Sequence, residues 1–151
     1  MNKVLFHEEQ QFRQWWLWLI IIVVLIVPTV FAIFFTETMT TDWKIIVGIF
    51  NALLVWFLWY LKLETTITSE HIDIKYRLLT HKMIPWDTVD KAQVLDYGFV
   101  GGWGLRLWTI YGTVYNVSGS KGLNVKVGSK QYTIGTQKEE ELRSSIAHLL
   151  K

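Results

Sequence analysis

The sequence predicts a membrane α-helical hairpin followed by a small, mainly-β domain of seven or eight antiparallel strands with a capping C-terminal helix. Three observations carry this. Two long stretches hold no charged residue, WWLWLIIIVVLIVPTVFAIFF at 15–35 and IIVGIFNALLVWFLWYL at 45–61. From Leu63 onward apolar residues recur at every second position, which is the period of a strand with one buried face. Past Thr136 the spacing becomes helical again.

A bilayer core of about 30 Å needs roughly 20 apolar residues at about 1.5 Å each. The first run has 21 residues and the second 17, so both reach across if the flanks of the second lie at the interface. Aromatic residues mark the ends. Trp15, Trp16 and Trp18 open the first run, and Trp56, Trp59 and Tyr60 close the second, while Phe34, Phe35 and Trp43 stand at the opposite ends. Rings with an apolar body and a polar edge favour the headgroup level. A cleaved signal peptide would have a shorter apolar core behind a basic start. Here Glu8 and Glu9 precede a longer one, so the first run is expected to remain as an anchor.

The organisation that follows is an N-terminal segment at 1–14, spans at 15–35 and 45–61, a connecting turn at 36–44, and a folded domain at 62–151. Lys3 and Arg13 precede the first span, and Lys62, Lys75, Arg77 and Lys82 follow the second, whereas the turn carries only Lys44. The positive-inside rule then puts both termini, and the domain, in the cytoplasm. Pro28 should bend the first helix by removing a backbone donor. Gly48, Asn51 and Ala52 lie within about one turn of the second span and form a candidate packing face, with Asn51 expected to hydrogen-bond across helices. Neither span contains an ionisable residue, which argues against a pump or proton relay.

In HIDIKYR (71–77), Ile72, Ile74 and Tyr76 alternate with His71, Asp73, Lys75 and Arg77, as in a half-buried strand. LETTITS precedes it, with Ser69-Glu70 as the turn. A third strand is expected at 81–86, with Pro85 marking its end or an edge, and a fourth at 90–97. The glycine cluster GFVGGWG (98–104) reads as a tight loop, and further strands fall at 105–110, 113–118, 122–127 and 130–135. In GLNVKVG, Leu123, Val125 and Val127 should face inward and Asn124 and Lys126 outward. Gly128-Ser129 fits a two-residue turn. Thr136 and Glu139 have capping-box spacing, and Leu142, Ile146, Leu149 and Leu150 make one apolar helical stripe.

Chemistry is sparse. With no cysteine among 151 residues, disulfides, cysteine zinc sites, iron–sulfur clusters and thiol nucleophiles are excluded. A net charge of +2 gives no reason to expect nucleic acid. His7-Glu8-Glu9 lacks the second histidine of a zinc-protease motif, since position 11 is Gln11, and reads as a solvated approach to the first span. His71 and Asp73 share a strand face, but two ligands fall short of a zinc site, and cross-strand polar pairing is the expectation. The glycines do not match phosphate-loop spacing. No catalytic residue, cofactor or metal is assigned.

The order of pieces resembles the bacterial PH-like (pleckstrin-homology-like) domains attached to membrane hairpins. The similar segments are IPWDTVDKAQV at 84–94, GLRLW at 104–108, SGSKGLNVKV at 118–127 and YTIGTQKEEEL at 132–142. The resemblance implies two nearly orthogonal sheets, or a partly open barrel, closed by the helix; it implies no activity. Lys75, Arg77 and Lys82 resemble the basic positions of phosphoinositide-binding members and are candidate lipid-headgroup contacts. The expected function is a non-enzymatic interaction module at the cytoplasmic face of the cell membrane. Its expected partners are the bilayer and an unidentified protein or a second copy. The alternative is a small structural or regulatory subunit of a larger membrane transporter or enzyme complex.

Overall fold

The computed structural model of the protein describes residues 3–150. The chain divides into two compact units, one made of the residues up to Gln11 together with those from Lys62 onward, the other of Phe12–Leu61.

The second unit is helical. Helix α1 (Trp15–Ile21) passes through a π-helical turn (Ile22–Ile26) into α2 (Val27–Phe35), and α3 (Thr41–Tyr60) follows. The π turn answers Pro28. A proline ring crowds the carbonyl four residues back, here Val24, and the wider turn relieves that crowding. The Val27 N–H bonds to the Ile22 carbonyl, five residues back. Trp15–Phe35 and Thr41–Tyr60 are long and apolar enough to cross a membrane, and no residue in them is buried. The Trp18 and Trp59 rings meet edge-on at 5.4 Å, so the start of the first run lies beside the end of the second.

Among the described residues the other unit holds nine strands in two open sheets. The first sheet has the order β1 (Val4–Gln11), β2 (Lys62–Thr68), β3 (His71–Tyr76) and β4 (Thr80–Pro85), all antiparallel. The second contains β5 (Lys91–Asp96), β6 (Gly104–Thr109), β7 (Gly112–Asn116), β8 (Lys121–Val127) and β9 (Lys130–Gly135), in the order β5-β8-β9-β7-β6. Here β7 and β9 run parallel, so the expectation of seven or eight strands, all antiparallel, is corrected on both counts. Neither sheet closes into a barrel.

The additional strand is β1. The N-terminal segment is not a solvated approach to the helix. It pairs with β2 from Phe6↔Ile67 to Gln11↔Lys62, so the helical unit is inserted between two neighbouring strands of one sheet. Alternation on β3 is as expected, with Ile72, Ile74 and Tyr76 essentially fully buried. They meet Phe6, Leu63 and Ile67 on their own sheet's inner face, and the core also holds Val114, Leu123, Val125 and Ile134 of the second sheet. Each such aliphatic side chain contributes about 1.5–3 kcal/mol by leaving water. Pro85 ends β4, an edge strand, where its missing N–H interrupts no ladder.

Helix α4 (Glu139–Ile146) lies against β1 and buries Leu142 and Ile146. Its N-cap is Lys138, with no side-chain cap. The expected capping box does not form, because the Thr136 hydroxyl donates to Glu8 at 2.5 Å while accepting the Lys138 N–H. Glu139 instead pairs with Lys121 at 2.5 Å and Arg143 at 3.1 Å. Asn124, expected outside, is buried. Its amide donates to Thr133 Oγ1 at 2.6 Å and accepts from Gln131 at 2.8 Å, and Thr133 in turn donates to the Tyr111 carbonyl.

Candidate functional site

The outer face of the first sheet carries a dense row of titratable residues. Pairing aligns His7, Thr66, Asp73 and Met83 in one row, and Glu9, Glu64, Lys75 and His81 in the next. Strand alternation thus separates His7-Glu8-Glu9: His7 and Glu9 face out, and Glu8 is buried. Ligand atoms of His7, Glu9 and Glu64 lie within 4.8 Å of one another, a spacing a cation could bridge. Lys62 already holds Glu9, with Nζ 2.6 Å away, and this contact chiefly lowers the Glu9 carboxyl below its ordinary range. An incoming metal must displace that ammonium.

Asp73 is the anchor of the neighbouring cluster. It takes Lys75 at 3.1 Å and His81 Nε2 at 2.6 Å, the cross-strand polar pairing expected, while His71 turns to Thr68. Burial pushes the Asp73 carboxyl up, but its hydrogen bonds with Lys75 and His81 outweigh that and hold it below the ordinary 3.8. A carboxyl lowered by folding stabilises the fold above its unfolded pKa, and the contribution is lost as pH falls through the folded value. Stability should therefore decline below pH 3.8, and Asp73→Asn should flatten that decline. Urea midpoints measured between pH 5 and pH 2 test it; parallel curves for both proteins would refute the assignment.

Lys75, Arg77 and Lys82 do not form one patch. Lys75 and Arg77 are exposed on the outer side. Lys82 pairs with Ile74 and so faces the other way, half-buried, with Nζ 5.4 Å from the centre of the Tyr132 ring. In the helical unit, Gly48 faces α2, where an added Cβ would lie 3.9 Å from Ile33 Cδ1. The Asn51 amide bonds within its own helix, to the Val47 carbonyl at 2.9 Å, and not across to the other helix. Gly48 thus meets the other helix within the unit, while Asn51 bonds to its own backbone and Ala52 is exposed.

The most exposed apolar residues of the β unit lie elsewhere, on the glycine loop and the β6–β7 hairpin. Phe99 and Ile110 are 86% exposed and Trp108 93%. Single exposed hydrophobes are ordinary, but a cluster at one spot is not. Beneath them is a groove of about 530 Å³ lined by Tyr97, Val100, Arg106, Thr109 and Tyr111, among others. Arg106 Nε is buried without a hydrogen-bond partner. Trp108 adopts φ 56°, a left-handed conformation that a bulky residue takes only under strain.

The loop is fixed at its base by Asn116, 1% exposed. Its side-chain oxygen accepts the Gly104 N–H at 2.9 Å and its amide donates to Tyr97 Oη at 3.3 Å, clamping both ends of the loop. Its backbone carbonyl accepts from Tyr76 Oη at 3.1 Å, tying the clamp to β3. At the hairpin tip Gly112 is obligatory, because φ is 77° and a Cβ would meet the Gln131 carbonyl oxygen at 2.0 Å. In sequence, 98–104 reads as a loop alone. The signal available was Leu107-Trp108-Thr109-Ile110-Tyr111, a hairpin tip almost without the polar residues that turns normally carry.

Comparison of the chain with protein families, with curated proteins and with solved structures found no match.

Proposed function

We propose that this chain is a membrane-anchored, non-enzymatic interaction module, a PH-like β domain held at the cytoplasmic face of a cell membrane by a two-span hairpin. The observation that carries this reading is the pairing of Gln11 with Lys62. Strand partners lie about 5 Å apart, so the inserted segment must leave and return at one point. An even number of crossings satisfies that requirement, and a single crossing does not. Two helices of spanning length occupy the segment, with Trp18 and Trp59 in contact. Only Phe12–Gln14 separate β1 from α1, and only Leu61 separates α3 from β2. Such joins reach at most about 3.5 Å per residue and keep the domain at the membrane surface.

Orientation follows from the excess of Lys and Arg outside the 36–44 turn. A cysteine-free chain makes the test direct. Thr40→Cys should react with an impermeant thiol reagent in intact cells, and Ser129→Cys only after permeabilisation. Both positions are exposed. Labelling of Ser129→Cys alone in intact cells would reverse the orientation, and labelling of both would refute the hairpin.

A further inference from the structure

We propose that the glycine loop and the β6–β7 hairpin form a bilayer contact, with Phe99, Trp108 and Ile110 seated among the headgroups of an anionic membrane and Arg106 taking a lipid phosphate. The inference rests on the membrane-anchored reading above and names the surface the domain binds.

Three observations choose a bilayer as the occupant. The first is position along the fold. Tyr76 pairs with Leu63, two residues beyond the Leu61 join to α3, and its hydroxyl would lie 3.9 Å from a Cβ at Gly104, the base of the loop. At the same strand end the Arg77 N–H bonds to the Lys62 carbonyl. This fixes the turn that carries Leu78 and Leu79, 51% and 44% exposed. Two apolar protrusions thus start at the same end of the β unit. The second is charge. Between Asp96 and Glu139 the sequence contains no acidic residue, and Arg106, Lys121, Lys126, Lys130 and Lys138 are all cationic. Of these, Lys121 and Lys138 are held by Glu139 and Glu141 and Lys126 and Lys130 flank the β8–β9 turn, so Arg106 is the cation of the groove. A basic group at a membrane surface attracts anionic headgroups over a Debye length.

The third is the chemistry of the groove. Its exposed rim is Phe, Trp and Ile, and its floor holds a guanidinium with a buried, unpartnered Nε among tyrosines. Apolar rings favour the interface between headgroup and acyl chain, and a guanidinium is the side chain best shaped for phosphate. Gly102 leaves room for the arginine's terminal nitrogen beside its backbone.

The test uses the full chain in nanodiscs, with an environment-sensitive fluorophore on a single introduced cysteine. Labels at Phe99→Cys and Ile110→Cys should be blue-shifted and quenched by lipid-borne quenchers in phosphatidylglycerol discs. A label at Lys126→Cys, on an exposed strand position, should be neither. Arg106→Gln should lower the inserted fraction on anionic relative to neutral discs by up to about five-fold, the equivalent of one basic residue at the surface. Phe31→Cys, in the first helix, reports the anchor itself. Quenching at Phe31→Cys without quenching at the loop overturns this inference and leaves the anchored reading standing. Loss at both sites overturns both. A blue shift that lipid quenchers leave untouched assigns the patch to protein, and also overturns it.

Discussion

Replacing residues 12–61 with Asn-Gly should yield a folded, water-soluble domain, whereas residues 62–151 alone should not fold cooperatively. Gln11 and Lys62 face each other in the ladder, and Asn-Gly is the preferred two-residue connection between directly paired antiparallel strands. The substitution removes the membrane-length helices and keeps every strand. The shorter fragment loses β1, and with it one of the two partners of β2 and the surface under α4. Phe6 is 3% exposed, and deleting a buried phenylalanine costs about 3–5 kcal/mol on its own. The bonds of Glu8 and Gln10 go with it. Domains of this size are stable by only about 5–15 kcal/mol, so the loss is comparable with the whole margin. Circular dichroism and urea titration of both proteins provide the measurement. A fragment 62–151 that unfolds cooperatively at the same midpoint would show β1 to be an accessory.

The strand that matters most here was the one least legible in the sequence. On β3, alternation is plain because the inward residues are Ile72, Ile74 and Tyr76. On β1 the inward residues are Phe6, Glu8 and Gln10, so the polar pattern points the wrong way. Their compensation is remote: Glu8 bonds to Thr136 and Gln137, and the Gln10 amide donates to the Gly135 carbonyl at 2.7 Å. Local pattern reading cannot find a partner about 125 residues away, and without one a glutamate reads as solvated. The failed capping box has the same origin, since the Thr136 hydroxyl was already engaged by Glu8. Lys82 lies near Lys75 and Arg77 in sequence, while the β3–β4 register puts it on the opposite face. What local chemistry determines was legible. Both spanning-length helices, the Ser69-Glu70 and Gly128-Ser129 turns, the end of β4 at Pro85 and the acidic first turn of α4 all follow from residues within one or two turns of chain. The apolar hairpin tip escaped for another reason. Leu107 through Tyr111 resemble a core strand, and only the three-dimensional fold reveals that Trp108 and Ile110 stand almost fully exposed.

Removing the Glu8 carboxylate should be the most damaging single polar change in the domain. Glu8 is 5% exposed; one oxygen accepts the Thr136 hydroxyl at 2.5 Å, and the other the Gln137 N–H at 2.9 Å. Thr136 is itself buried, so Glu8→Ala strands its hydroxyl in a space too enclosed for free solvation and also removes the acceptor of the Gln137 N–H. A buried group left without its partner costs about 1–3 kcal/mol, which sets the expected loss. A double-mutant cycle with Thr136→Val separates the bond from mere packing. If the hydroxyl and carboxylate act as a unit, the double variant should be more stable than the summed single losses allow, by roughly 1–2 kcal/mol. Run on the Asn-Gly-joined domain, urea midpoints give all four corners of the cycle without a membrane. The Thr136 hydroxyl also accepts the Lys138 N–H, so Thr136→Val carries its own cost at the start of α4, and the cycle cancels it. Purely additive losses would mean that Glu8 is held by the ladder alone, and that the bond from the first strand to the last does not close the domain.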